Sequence, residues 1–180
     1  MRIGNESLIN HPTAAFIGPR HGYDSTDEQL FKAALDDWLN DGGVVMTGGA
    51  LGADSIAMNH TIQWAEDHNS IELPLIIVLP RSSTPMTLTD SGHVTAASPS
   101  SNSDLFDYTA THDGLLIMKN RGECLPKGAA YIERDDLMVR LSNQVFVLAY
   151  LDPRSGTGAT IRRARKHDIP VTVCGRNLVD

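Results

Sequence analysis

The sequence predicts a Rossmann-like α/β fold, a single domain with an open parallel sheet and helices on both faces. Short apolar runs alternate with segments of helical periodicity, which is typical of a parallel sheet. Glycine-rich turns follow several of the apolar runs, where such sheets bind ligands. The length of 180 residues fits one domain of about 100–200 residues. We therefore treat residues 1–180 as one unit.

The first part of the chain predicts three strands separated by two helices. The strands are expected at residues 14–17, 44–47 and 75–79, because each is a short apolar run bounded by glycine or proline. The first helix is expected to begin near Thr26, because Thr26 and Gln29 resemble a capping box. The second helix is expected over about residues 54–68.

The middle of the chain interrupts this alternation. Residues 81–103 are rich in Ser, Thr and Pro, and we expect them to form an insert without regular structure, either a mobile lid or a disordered loop. Residues 104–118 carry mixed helical and strand signals. The alternation then resumes. A helix is expected over residues 129–141, a strand over 145–151, a helix over 156–167 and a strand over 170–173.

Composition limits the partners that we expect. The formal net charge of −7 is the opposite of the basic footprint common in nucleic-acid-binding domains, so nucleic acid is expected to be an unlikely partner. Cys124 and Cys174 form no CxxC, and the seven histidines lack metal-ligand spacing, so we expect neither a metal nor a cofactor. An apolar signal sequence and a bilayer-length run are absent, which predicts a cytoplasmic protein.

Three glycine-rich segments fall at the predicted carboxyl ends of strands. Glycine allows backbone N–H groups to approach a phosphate, and a helix N-terminus adds unpaired donors and partial positive charge. The candidate binding residues are Gly18, Pro19 and Arg20 in the first segment, Thr47, Gly48, Gly49, Gly52, Ala53 and Asp54 in the second, and Ser155, Gly156, Thr157, Gly158 and Thr160 in the third. Arg154 and His21 lie next to these segments.

The same segments resemble the SLOG superfamily of Rossmann-like proteins, which includes DprA-type DNA-processing proteins, LOG-type phosphoribohydrolases and small nucleotide-binding relatives. The first strand ends in FIGPR, similar to the family's Gly-Ser-Arg, and residues 47–57 read TGGALGADSIA, similar to TGGARGADxxA with Leu51 replacing the arginine. Residues 133–148 resemble the family's segment in which an arginine precedes a strand. Residues 155–171 resemble its last glycine turn, helix and strand.

The resemblance implies roles for particular residues. Arg134 matches the family's catalytic arginine and is expected to bind phosphate, with a surface pair to Asp135 or Asp136 as the alternative. Asp54 is expected either to orient a ribose hydroxyl or to hold the start of its helix. LOG-type hydrolases carry a glutamate where this chain has Arg162, so the acid of that mechanism is missing.

These features predict a protein that binds a nucleotide or a nucleotide-derived phosphate ligand with little or no catalysis. The first alternative is a phosphoribohydrolase acting on a nucleoside monophosphate, with Asp135 or Asp136 as a substitute carboxylate. The second alternative is a DprA-like DNA-binding module. Because relatives commonly form dimers, a homodimer is also expected.

Overall fold

The computed structural model describes the backbone of residues 2–4, 11–79, 86–88, 94–96, 116–119 and 127–179, and the side chains of residues 11–79 and 129–179. The strands are β1 (Arg2–Gly4), β2 (Thr13–Ile17), β3 (Val44–Thr47), β4 (Leu75–Leu79), β5 (Met86–Leu88), β6 (Val94–Ala96), β7 (Leu116–Lys119), β8 (Gln144–Val147) and β9 (Val171–Val173). The helices are α1 (Ser25–Asn40), α2 (Ala53–Asp67), α3 (Lys127–Arg140) and α4 (Gly156–Lys166).

The main sheet has seven strands in the order β1-β7-β4-β3-β2-β8-β9. Neighbouring strands from β7 to β9 are parallel, and β1 joins the edge antiparallel to β7. The chain winds outward from β2 through β3 to β4, and later continues on the other side of β2 through β8 to β9. The order therefore reverses between β2 and β8, which is where doubly wound sheets form a ligand crevice. The predicted Rossmann-like fold is confirmed.

Two apolar layers cover the sheet. On one face, Phe16 of β2 stacks on Phe146 of β8, with ring centroids 4.7 Å apart, and meets Phe31 of α1 edge-on at 5.6 Å. On the other face, Met138 of α3 and Ile161 of α4 belong to a second buried cluster. Burial on both faces explains why the central strands are continuous apolar runs rather than alternating ones.

The structure corrects two predictions about secondary structure and adds one strand. The capping box of α1 is formed by Asp24 and Asp27, because the Asp24 side chain accepts from the Asp27 N–H and the Asp27 side chain accepts from the Asp24 N–H. Thr26 therefore lies inside the helix and is not its cap. Strand β8 ends at Val147, earlier than expected. Residues 2–4, for which no element was predicted, form β1.

The middle segment is also more regular than expected. Strands β5 and β6, both inside residues 81–103, pair antiparallel with each other. Residues 116–118, the described end of the segment with mixed signals, belong to strand β7. The proposed mobility of the insert concerns residues that lie largely outside the described part of the chain. Among the helices described, none is long and apolar enough to cross a membrane.

Candidate functional site

A cleft of about 400 Å³ opens at the carboxyl ends of β2 and β8. It lies at the reversal point of the strand order, where the fold predicts a ligand site. Four parts of the chain meet there, namely the loops after β2 and β3, one face of α3, and the first turn of α4. The lining residues are Ile17, Gly18, Pro19, Arg20, His21, Ala50, Leu51, Asp54, Tyr131, Arg134, Asp135, Met138, Ser155, Gly156, Thr157 and Thr160.

The loops after β2 and β3 pack against each other through glycines. A Cβ at Gly18 would lie 2.8 Å from the Cβ atoms of Ala53 and Leu148. A Cβ at Gly52 would lie 2.5 Å from the Cα of Arg20, and the φ of Gly52 is +81°, which favours glycine. These two glycines therefore set the spacing of the loops and place Arg20 at the edge of the cleft.

The first turn of α4 forms the opposite edge. Ser155 caps the helix, its Oγ accepting the Gly158 N–H at 3.1 Å, and this first turn contains no acidic residue. A Cβ at Gly158 would lie 2.4 Å from the carbonyl oxygen of Pro153, so glycine allows the turn to close. The helix consequently presents backbone donors and the positive end of its dipole to the cleft.

Exposed basic side chains surround this edge. Arg20 and His21 follow β2, Arg154 directly precedes Ser155, and Arg162 lies in the second turn of α4. All four are exposed. The side chain of Arg154 is 93% exposed, while Arg162 donates to the carbonyl of Pro153. We call Arg20, His21, Arg154 and the first turn of α4 the rim.

Buried charges form another part of the cleft, which we call the floor and define as Asp54, Arg134 and Asp135. Arg134 lies in the middle of α3 and its side chain is 9% exposed. Its Nη1 donates to the carbonyl oxygen of Gly48 at 2.6 Å, and its Nε donates to Asp135 Oδ1 at 2.6 Å. Nη1 also lies 3.8 Å from Asp54 Oδ2. Arg134 therefore joins α3 to the loop after β3.

The two carboxyl groups of the floor differ in environment. Asp54 lies in the first turn of α2, and its Oδ2 accepts the Ala50 N–H at 3.0 Å. Burial raises the pKa of Asp54, and the nearby Arg134 charge opposes that rise. Asp135 is less buried, with a side chain 19% exposed, and its Oδ2 accepts the Thr160 hydroxyl at 3.3 Å. Asp135 therefore offers the more accessible carboxylate.

A second ion pair anchors the loop that carries the rim. Asp27 is buried at the start of α1, and its Oδ2 accepts from Arg176 Nη2 at 2.6 Å and from Nε at 2.9 Å. Arg176 Nη2 also donates to the carbonyl oxygen of Gly22 at 3.0 Å. The hydrogen bonds from Arg176 lower the pKa of Asp27 to about 2. The Arg20–His21 segment is thus fixed from behind by the C-terminal part of the chain.

The structure separates the predicted site residues into two groups. Those that line the cleft are Gly18, Pro19, Arg20, Asp54, Arg134, Ser155, Gly156, Thr157 and Thr160. Those that lie behind the lining are Thr47, Gly48, Gly49, Gly52, Ala53 and Gly158. Members of the second group shape the loops, as the contact of Gly48 with Arg134 illustrates. Binding by any of these residues stays a prediction, including phosphate binding by Arg134.

Sequence reasoning missed part of the lining. Ile17, Tyr131 and Met138 reach the cleft from β2 and α3, but each had only an ordinary core or helix signal. Tyr131 and Met138 stand three residues before and four residues after Arg134, which are spacings of one helix face. That periodicity was the signal available for finding them.

The fold and the cleft define a class, the doubly wound α/β proteins with a crevice at a strand-order reversal. Within that class, the model of the family described as DNA recombination-mediator protein A matches residues 1–180. The chain therefore belongs to the DNA recombination-mediator protein A family, and the resemblance to the SLOG superfamily is confirmed. None of the curated proteins searched matches this chain.

Solved structures agree with this family assignment at the level of fold. DNA processing protein A from Helicobacter pylori, described for its unique single-stranded DNA binding mode, is 21% identical with a TM-score of 0.65, and the match covers 96% of this chain and 69% of that one. DprA from Streptococcus pneumoniae is 22% identical with a TM-score of 0.67, over 96% of this chain and 53% of that one. This chain thus spans about half of the pneumococcal protein.

A different group shares the fold more distantly. The molybdenum cofactor binding protein from Rippkaea orientalis is 19% identical with a TM-score of 0.56, over 91% of this chain and 76% of that one.

The comparisons correct one prediction. The expectation that nucleic acid is an unlikely partner is wrong, because the chain belongs to a family of DNA recombination mediators and matches the fold of a single-stranded-DNA-binding relative. That expectation rested on the net charge of −7. Net charge averages over the whole surface, whereas the rim concentrates cations beside one cleft.

Proposed function

We propose that this chain is a DNA-binding module that binds single-stranded DNA across the rim, with one backbone phosphate at the first turn of α4. The observation that carries the proposal is the cationic rim itself. Arg20 lines the cleft together with Ser155, the N-cap of α4, while Arg154 directly precedes Ser155, and both arginines are exposed. A helix N-terminus flanked by arginines suits a phosphate, because backbone donors and charge act on the same oxygens. Membership of a family of DNA recombination mediators supports DNA as the source of that phosphate.

The shape of the site favours a single strand over a duplex. The cleft encloses about 400 Å³, within the range of pockets that hold one small molecule, and a paired base could not enter it. In a single strand, the unstacked bases are free to turn toward a protein surface. The backbone can therefore follow the rim while one nucleotide enters the cleft.

A free nucleotide is the second candidate ligand. It is favoured by the floor, where Asp54, Arg134 and Asp135 form a closed and largely buried network. Such a network offers directional polar contacts of the kind that orient a small ligand. A free nucleotide and a nucleotide within a single strand present the same base and a phosphate, so the experiment includes both ligands.

The test is fluorescence anisotropy with a labelled mixed-sequence single strand, the matching duplex and unlabelled nucleoside monophosphates as competitors. We expect the single strand to bind more tightly than the duplex and to weaken as salt rises from about 50 to 200 mM, because bound phosphates release counterions. Tighter duplex binding, or affinity independent of salt, would contradict the proposal. Binding of monophosphates without any binding of single strands would favour the second candidate.

Matched arginine variants locate the contact. Arg20→Ala and Arg154→Ala should each weaken single-strand binding and reduce the slope of log affinity against log salt by about 0.7, the value for one phosphate contact on a single strand. Arg140→Ala is the control, because Arg140 is an exposed arginine at the far end of α3 and pairs with Asp136 at 2.9 Å. Equal losses in all three variants would show that the rim has no special role.

A further inference from the structure

The floor and the rim of the cleft favour ligand groups of different charge. Two carboxyl groups, Asp54 and Asp135, share the floor with one guanidinium. The Nε and Nη1 donors of Arg134 are already engaged with Asp135 and with the Gly48 carbonyl. A phosphate is therefore favoured at the rim, and a group that donates hydrogen bonds is favoured at the floor.

Apolar side chains also line the cleft, and we call them the wall. Ile17, Leu51, Tyr131 and Met138 all line the cleft. Leu51 is 54% exposed, which is a large exposure for a leucine that faces a cleft. Flat aromatic groups bind to apolar and aromatic side chains because they bury large surfaces. The wall is thus suited to a planar ring, which would hold its polar edge toward the floor.

We propose that the floor selects the nucleobase, favouring guanine over thymine through acceptance of guanine N–H donors by the Asp135 carboxylate. This inference rests on the proposed function, since it places one nucleotide of the bound strand in the cleft. Asp135 Oδ1 accepts from Arg134 Nε, and Asp135 Oδ2 lies 3.3 Å from the Thr160 hydroxyl, whose single proton also has the Gly156 carbonyl oxygen as an acceptor at 3.1 Å. A carboxylate has about four lone-pair sites, so each oxygen retains capacity for a further donor.

The chemistry of the bases then sets the order of preference. Guanine presents two adjacent donors, N1–H and the exocyclic N2 amine, which match the two oxygens of a carboxylate. Adenine and cytosine each present one amine. Thymine presents one N–H between two carbonyl oxygens, and those oxygens would face the carboxylate and repel it. Guanine should therefore bind most tightly and thymine least tightly.

Two structural features indicate that Asp135, rather than Asp54, recognises the nucleobase. The Asp54 side chain is 11% exposed, compared with 19% for Asp135. Asp54 Oδ2 is also committed to the Ala50 N–H at the start of α2. Asp54 therefore serves to hold the loop after β3, whereas Asp135 remains within reach of a ligand.

The experiment compares oligothymidine strands that differ at one central position, which is dT, dG or dI. Hypoxanthine, the base of dI, retains the N1–H of guanine but lacks the exocyclic amine. By competition anisotropy, we expect the dG strand to bind about tenfold more tightly than the all-dT strand, since hydrogen bonds to a charged group are each worth at least that factor. The dI strand should lose most of this gain. Equal binding of the dG and dT strands would overturn the inference.

Two variants test whether Asp135 is responsible for the preference for dG over dT. Asp135→Asn keeps a carbonyl oxygen for Arg134 Nε but replaces one acceptor by a donor, so the ratio of dG to dT affinity should fall to about twofold or less. Asp136→Asn is the control, because Asp136 is the adjacent acidic residue and pairs with Arg140 instead. A ratio that persists in Asp135→Asn, or falls equally in both variants, would contradict the assignment to Asp135.

Thermal shifts with free mononucleotides separate this inference from the proposed function. A ligand that binds the folded state raises the melting temperature, so dGMP should raise it more than dTMP in the wild-type chain. If no single strand binds but dGMP still exceeds dTMP, the proposed function fails and the base preference of the floor stands. If single strands bind with no preference and dGMP and dTMP act alike, the proposed function stands and the inference fails.

Discussion

The rim and the floor of the cleft both contain arginines, but they use them in opposite ways. Arg154 at the rim has a side chain 93% exposed, and its nearest carboxylate contact is 4.0 Å away. Arg134 at the floor is 9% exposed and contacts two carboxylates and a backbone carbonyl. A hydrated cation contributes little to folding and is free to meet a ligand. A buried and paired cation cannot be removed without leaving its partners uncompensated. The same residue type is therefore available for binding in one region and committed to structure in the other.

Arg134→Ala should give the largest effect and is the strongest test of this contrast. The variant leaves Asp54 and Asp135 without their shared counter-charge, so we expect the free energy of unfolding to fall by about 3–5 kcal/mol. Urea denaturation measures it. Arg154→Ala is the matched variant at the rim, and a comparable loss there would remove the distinction between the two regions.

Gly48→Ala tests how tightly the floor is built. A Cβ at Gly48 would lie 1.6 Å from Arg134 Nη1, so the arginine must shift and its bond to the Gly48 carbonyl must change. We expect a loss of about 1–3 kcal/mol in unfolding free energy, the usual cost of overpacking. Thermal or urea denaturation reports it, and a neutral result would show that Arg134 moves without cost.

The ion pair between Asp27 and Arg176, which holds the rim loop, should make the free energy of unfolding depend on pH. The pKa of Asp27 is lowered from 3.8 to about 2, so the stability from its pair with Arg176 is complete above about pH 4 and is lost as pH falls from about 4 to 2. Asp27→Asn should cost about 1–2 kcal/mol at neutral pH and almost nothing near pH 2. Parallel denaturation curves for wild type and variant at the two pH values decide it, and a pH-independent difference would contradict the assignment.

Gly156→Ala should have the smallest effect, and of opposite sign. A Cβ at Gly156 meets nothing within 4 Å, and the residue begins α4. Replacing it should raise the unfolding free energy by about 0.4–1 kcal/mol, because alanine restricts the unfolded chain. A loss comparable to that of Gly48→Ala would show that the rim is as tightly constrained as the floor.

These contrasts also show which parts of the site the sequence could predict. Glycine turns after apolar strands identified the loops at Gly18 and Ser155, because the physical reason for a glycine there is local. The division between Asp54 and Asp135 was not predictable, since it depends on which carboxylate the packing of α3 leaves exposed. The polar segment that forms β1 gave no pattern of its own, because its pairing partner is β7, more than a hundred residues away.

The pairing of β2 with β8 determines when the cleft forms during folding. The Thr13 N–H bonds to the Asn143 side chain across 130 residues of chain, and the two strands meet in parallel register. Contacts so distant in sequence form late, because the loop between them must first be closed at an entropic cost. During synthesis, the segment from β2 to β4 emerges before β8 exists, and it can display the Arg20 loop but no opposite edge. A nascent or truncated chain that has begun to fold therefore contains only half of the cleft. We expect ligand binding to appear in one step, when the last third of the chain packs against the earlier strands.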